Sequence, residues 1–302
     1  MIEIEGVTRI EGGRPIVDRV TFSVAAGQFC ALVGSSGAGK STTLKMINRM
    51  VAKSAGTIRI GGADVSTLDP QSLRRRIGYV IQSIGLFPHW TVAENIATVP
   101  RLLGWDKARI RARVDELIDL VRLDRDHAGR YPHLLSGGQQ QRVGVARALA
   151  ADPDLLLMDE PFGALDPITR EALADELALI HHRTGKTILF VTHDLDMALR
   201  LADRIAIMDG GRLIQFAPPI EILEAPANAF VRDLVGRSAL GLKLLAIRRV
   251  GDRVRPGLAA AGEPLASSAS LADALSEMVV RRTDRLPVAD SGGAILLSDI
   301  VA

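Results

Sequence analysis

The sequence holds a single cysteine, 4% aromatic residues, no marked excess of either charge and no long apolar run. With Cys30 alone no intrachain disulfide can form, and its place inside the run FCALVG points to core packing in a reducing compartment. Few aromatics beside 47% apolar residues mean a core built from Leu, Ile, Val and Ala, which suits helices packed on a parallel sheet. A balance of 37 basic and 35 acidic residues lacks the one-sided charge of a protein that grips nucleic-acid phosphates, so no nucleic-acid partner is expected. No stretch approaches the roughly 18–20 apolar residues that span a bilayer, and the opening MIEIEGVTRI lacks the pattern of a signal peptide. A cytoplasmic protein is therefore expected, with any membrane-spanning part supplied by a separate partner.

Short β-runs fill the first third, IEIEGV, RVTFSV, FCALVG, TIRI and IGYVI, set apart by Gly- and Asp-containing turns. Their alternating portions mark an antiparallel, half-exposed sheet. After FCALVG the period changes and STTLKMINRM continues as a helix, giving the strand, glycine loop and helix order of a nucleotide-binding unit. Between residues 106 and 123, Ile110, Val114, Leu117, Ile118 and Val121 recur at helical spacing, an amphipathic helix within a helical insertion at about 86–150. Two apolar strands, DLLLMD and TILFVTH, flank a helical stretch over 169–183, the spacing of a parallel crossover. Residues 1–235 thus read as one α/β domain with an antiparallel β subdomain and a helical subdomain. The Ala/Gly-rich text within 236–265 reads as a linker, and 266–302 as a small α/β module.

The residues that carry chemistry come in four groups. Gly34, Ser35, Ser36, Gly37, Ala38, Gly39, Lys40, Ser41 and Thr42 match the phosphate-loop pattern between a buried strand and a helix. Glycines let successive N–H groups turn toward phosphate, Lys40 reaches the β- and γ-phosphates, and Ser41 is placed to ligate Mg²⁺. Next, DLLLMDEP ends an apolar strand in two acids. Asp159 falls at the metal and Glu160 beside the γ-phosphate, where it orients or deprotonates the attacking water. Without a phosphate loop the same acids would read as a helix cap before Pro161. Third, His193 ends another apolar strand, placing it at the same sheet edge. Last, Ser136, Gly137 and Gly138 precede a helix beginning near Gln139, a second anion-binding helix start that faces the nucleotide of another copy.

Together these motifs resemble the ATP-binding-cassette ATPases over about residues 1–235. On that resemblance GSSGAGKST is Walker A, LSGGQ the signature, LLLMDE Walker B, Gln82 the Q-loop glutamine, His193 the switch histidine and Asp166 the D-loop aspartate. The resemblance implies a P-loop NTPase fold that binds and hydrolyses ATP, with Mg²⁺ held by Ser41, Gln82 and Asp159 and with Glu160, His193 and Gln82 at the hydrolytic centre. It implies a head-to-tail homodimer in which Ser136, Gly137, Gly138, Gln139 and Asp166 contact the ATP of the opposite copy. Separate transmembrane permease subunits follow, gripped through Leu86, Phe87 and Trp90 at the cytoplasmic face of the inner membrane, with an extracytoplasmic solute-binding protein acting indirectly. The text YVIQSIGLFPHWTVAENIATVP resembles importers of quaternary amines such as glycine betaine and choline, and 266–302 looks like a single CBS motif. The segment TRIEGGR lacks the family's aromatic for adenine, and Ile10 is expected to pack on the base instead. An importer of another solute, or a non-transport ATPase of the family, is the alternative reading.

Overall fold

Two kinds of strand, alternating and wholly apolar, sort into two sheets within Met1–Ala217, the first of two compact units. A computed structural model describes residues 1–163, 165–236 and 240–301. In chain order the strands of this unit are β1 (Ile2–Glu11), β2 (Arg14–Val24), β3 (Phe29–Gly34), β4 (Ala55–Ile60), β5 (Ala63–Asp64), β6 (Ile77–Val80), β7 (Leu155–Asp159), β8 (Thr187–Thr192), β9 (Arg204–Asp209) and β10 (Arg212–Ala217). The antiparallel sheet has the order β2-β1-β4-β5. Along β1, Ile2 and Ile4 are buried while Glu3 and Glu5 are exposed, the period of a sheet wet on one face.

The second sheet has the order β10-β9-β3-β8-β7-β6, parallel except for the β10 edge. Every residue of β3, β7 and β8 is buried, as expected of parallel strands covered on both faces. Register pairs Val33 with Thr192, Asp159 with Val191 and Val80 with Met158, so β3, β6, β7 and β8 all finish at one edge. Ligands of open α/β sheets bind at such carboxyl ends. One apolar cluster joins the two sheets to the helix Lys40–Ile47 through Ile4, Ile58, Leu32, Leu44 and Leu189. Each fully buried Leu or Ile contributes about 1.5–3 kcal/mol.

Between β6 and β7 lies the helical insertion. Its helix Lys107–Leu120 is capped by Asp106 and packs Val114, Leu117 and Ile118 toward the helix Gly137–Leu149. Ile110, read from spacing as part of that face, is only half-buried, because it sits one turn from the end. Crossover to β8 is made by the helix Pro167–Thr184, opened by Asp166 and a first-turn proline.

The close approach of β3 to β9 makes Gly34 irreplaceable. A Cβ there would lie 2.0 Å from the Met208 carbonyl oxygen, which belongs to the sheet and cannot yield. Gly34→Ala is expected to lose about 3 kcal/mol of unfolding free energy. Urea titration checks this as a lower midpoint at unchanged slope.

In the second unit, Pro218–Ala302, the helices Pro219–Glu224, Ala229–Val235 and Leu240–Ile247 precede a small antiparallel sheet. Its strands β11 (Arg255–Pro256), β12 (Arg285–Val288) and β13 (Gly293–Leu296) run in the order β11-β13-β12. The helix Leu271–Arg281, started by a Ser270/Asp273 capping box, shares a core with them made of Val250, Leu271, Met278, Leu286 and Ile295. The stretch 236–265 is therefore not a bare linker: it carries a helix and a strand, Val250 is fully buried, and Val254 and Leu265 pack on the core. The unit boundary falls after Ala217, earlier than residue 235. Among the described residues no helix is long and apolar enough to cross a membrane.

Candidate functional site

At the end of β3 the chain leaves the sheet through the glycine-rich loop and enters the helix Lys40–Ile47, which has no side-chain cap. Its first N–H groups are thus left to an anion, reinforced by the helix dipole. Lys40 Nζ donates to the carbonyls of Gly34 and Ser35, each at 2.8 Å, which pins the amine beneath the loop. Burial holds this ammonium below the ordinary lysine range, against the opposing pull of Glu160 and Asp159.

Ser41 Oγ donates to Asp159 Oδ1 at 2.7 Å, so helix and β7 meet through a hydroxyl and a buried carboxylate. Glu160 follows with φ 44°, an uncommon conformation for a residue with a side chain and a strain of order 1–3 kcal/mol. It is over-determined by its own N–H, which donates to Val191 O at 3.0 Å, and by its carbonyl, which accepts from Gly163 N at 3.1 Å. Glu160 Oε2 accepts from Gln82 Nε2 at 3.4 Å and lies 3.4 Å from His193 Nδ1. Lys40, Ser41, Gln82, Glu160 and His193 therefore line one open cavity of about 460 Å³, with Ile16 and the glycine loop completing the wall. That size suits a nucleotide-scale ligand.

A divalent cation fits this donor set. Ser41 and Asp159 present hard oxygens side by side, as a small cation that keeps waters and phosphate oxygens requires. Among the described residues no group of three or more His, Cys, Asp or Glu comes together to hold a metal.

The second helix start forms as a capping box: Gln139 N donates to Ser136 Oγ at 3.3 Å and Ser136 N donates to Gln139 Oε1 at 2.9 Å. The helix begins at Gly137, two residues before the expected start. Gly138 presses on the next helix, since a Cβ there would meet Thr169 Cγ2 at 2.9 Å. Asp166 accepts from Thr169 N at 3.0 Å, and hydrogen bonds from Thr169 hold its carboxyl below the usual range. None of Ser136, Gly137, Gly138, Gln139 or Asp166 lines the phosphate cavity of its own chain.

Ile10 does not line the cavity either. A register irregularity at Arg9/Ile10 leaves it paired with Pro15 near the end of β1, about half exposed, while Ile16 supplies the apolar wall. Phe87 is exposed with its ring 4.6 Å from that of Trp90, and Leu86 is half-buried beside it.

Two residues that sequence reading missed hold these loops. The buried Asn95 amide accepts from Phe87 N at 2.8 Å and donates to the carbonyls of Phe87, Trp90 and Thr91. Arg147, in the last turn of the helix Gly137–Leu149, donates to the carbonyls of Ile84 and Gly85, tying the loop after Gln82 to the far end of that helix. A polar residue on an apolar helix face was the available signal for Asn95; Arg147 offers none, because its partners are carbonyls distant in sequence.

A family model described as ABC transporter matches residues 17–163. The chain is 54% identical over 293 residues to the glycine betaine uptake system ATP-binding protein YehX of Escherichia coli (strain K12), covering 97% of this chain and 95% of that one. It is 46% identical to the glycine betaine/carnitine/choline transport ATP-binding protein OpuCA of Bacillus subtilis (strain 168), over 96% of this chain and 76% of the relative. Among solved structures it is similar to a dimeric ATP-binding cassette in a post-hydrolysis state bound to ADP and Pi, with TM-score 0.65 and 32% identity over 72% of this chain and 99% of the other.

Proposed function

Because this chain belongs to the ABC transporter ATPase family and carries its P-loop fold, we propose that it is the ATP-hydrolysing subunit of an importer for glycine betaine, choline or a similar quaternary amine. The convergence of Lys40, Ser41, Asp159, Gln82, Glu160 and His193 on one sheet edge carries the ATPase reading. The solute class is supported by the relatives, two of which are named for glycine betaine.

In this reading the uncapped helix start and Lys40 bind the phosphates. Ser41 and Asp159, with Gln82 across the cavity, would hold Mg²⁺, which when bound neutralises charge on the phosphate oxygens. Gln82 and His193 both address Glu160 Oε2, so Oε1 is the oxygen left to take a proton from the attacking water. Ser136, Gly137, Gly138, Gln139 and Asp166 are proposed to meet the nucleotide of a second copy in a homodimer, and Ile10 to meet its own adenine beyond the phosphate cavity. The likeness to a dimeric cassette supports that pairing. Phe87 and Trp90, with Leu86, are proposed to face separate permease subunits at the cytoplasmic face of the inner membrane, with a solute-binding protein beyond them. Residues 266–302 are proposed as a CBS-like module.

Reconstitution with the permease and binding-protein partners tests the solute class. Glycine betaine or choline is expected to raise ATP hydrolysis several-fold over the solute-free complex, a difference of about 1 kcal/mol in activation free energy. Stimulation by an unrelated solute, with every quaternary amine inert, would overturn the assignment.

A further inference from the structure

We propose that Arg170 is a positioning residue that ties the Asp166 loop to the strand end carrying His193, and thereby sets the geometry of Glu160. The inference rests on the ATPase reading and extends it to a residue that none of the motifs contains.

Arg170 lies in the first turn of the helix Pro167–Thr184, where its N–H donates to Asp166 O at 2.9 Å. Its side chain turns back. Nη2 donates to the Leu165 carbonyl at 3.1 Å, and Nη1 lies 3.7 Å from Asp194 Oδ2. Nε is buried and has no hydrogen-bond partner among the described residues. Arg170 also lines a narrow cleft of about 10 Å³ with Glu160, Gly163, Thr192, His193 and Asp194.

Asp194 is divided between two tasks. Its Oδ1 accepts from Met197 N at 3.0 Å and caps the helix Leu195–Leu201, while Oδ2 faces Arg170. It directly follows His193, whose Nδ1 is 3.4 Å from Glu160 Oε2. Two polar contacts none longer than 3.7 Å thus lead from the Leu165 carbonyl through Arg170 to Asp194, and the peptide link from Asp194 to His193 carries the path on to the His193–Glu160 pair.

The rigid planar fork of arginine can serve the carbonyl and the carboxylate at once, which a point charge cannot. A buried donor left unspent in a native site calls for an account, and here it belongs to a residue that shares a cleft with Glu160 and His193. Thr169, one residue earlier, is the side chain pressed by Gly138. One helix turn therefore touches both the second helix start and, through Arg170, the His193 strand end. Groups presented to another copy's nucleotide and groups acting on this copy's own are linked through that turn.

Steady-state ATP hydrolysis by the purified full-length chain tests the proposal with Arg170→Ala, Arg170→Lys, Asp194→Asn and the Arg170→Ala/Asp194→Asn double variant. Asp194→Asn is informative because asparagine keeps the helix cap and removes only the charge. Arg170→Ala and Asp194→Asn are each expected to lower kcat roughly tenfold, as for a small misplacement of reacting groups, with KM for ATP within about twofold. The double variant is expected to be no slower than the worse single one, because both remove the same link. Arg170→Lys is expected to recover part of the loss. Wild-type kcat in Arg170→Ala, a KM effect without a kcat effect, or multiplying losses in the double variant would each overturn the proposal. Should Arg170→Ala fail to fold, wild-type kcat in Asp194→Asn alone overturns it. A wild-type chain without turnover would instead overturn the ATPase reading itself.

Discussion

Glu160→Gln is expected to lower ATP turnover by roughly 10²–10⁴-fold, the scale of a lost general base, while ATP affinity stays within a few-fold of wild type. Glutamine has the shape of glutamate and can still accept at one oxygen, so the contacts from Gln82 and His193 to the former Oε2 position have a partner. What it cannot do is take the water's proton. The phosphates are held elsewhere, by the helix start and Lys40, and those groups are untouched. The strained backbone at Glu160 is fixed by main-chain bonds to Val191 and Gly163, which the substitution also spares. Phosphate release and nucleotide titration on the same sample separate the two effects. Near-normal turnover would remove Glu160 from the chemistry.

Lys40→Ala is expected to do the reverse, weakening ATP binding by about 10–100-fold. A charge-assisted hydrogen bond is worth about 1.5–3 kcal/mol, and each 1.4 kcal/mol is tenfold in affinity. The amine is buried against the Gly34 and Ser35 carbonyls, a position that also preshapes the loop. Removing it takes away both the cation and the strap. Calorimetric titration with ATP measures the loss directly. An equal fall of affinity in Glu160→Gln and Lys40→Ala would contradict the separate roles assigned to them.

The sheet edge was legible because its signals are local. A wholly apolar strand followed by glycines, by paired acids or by histidine states both the element and the end at which the functional group stands. FCALVG, DLLLMD and TILFVT became β3, β7 and β8, and their parallel register set Ser41, Asp159, Glu160 and His193 together. Gln82 stands just past β6 on the same edge, where its amide reaches Glu160. Less was legible where partners are distant in sequence. Nothing in the spacing marks Arg147 for the Gly85 carbonyl or Arg170 for Asp194, because a guanidinium reads as an exposed helix charge until tertiary structure supplies its acceptor. Ile10 illustrates a different loss: strand text gives the period but not the irregularity at Arg9/Ile10 that decides where the residue lies. The helix Leu240–Ile247 was hidden because eight residues without buried positions carry no clear stripe.

The central claim is that the loop before Lys40 in one copy and the helix start after Ser136 in another close on the same ATP. The most direct measurement is sedimentation velocity of the full-length Glu160→Gln chain with and without ATP, with bound nucleotide counted in the sedimenting species. A monomer that becomes a dimer holding two ATP per two chains is the expected result. A wild-type chain that binds ATP and turns it over at its full rate while remaining monomeric at every nucleotide concentration would contradict it.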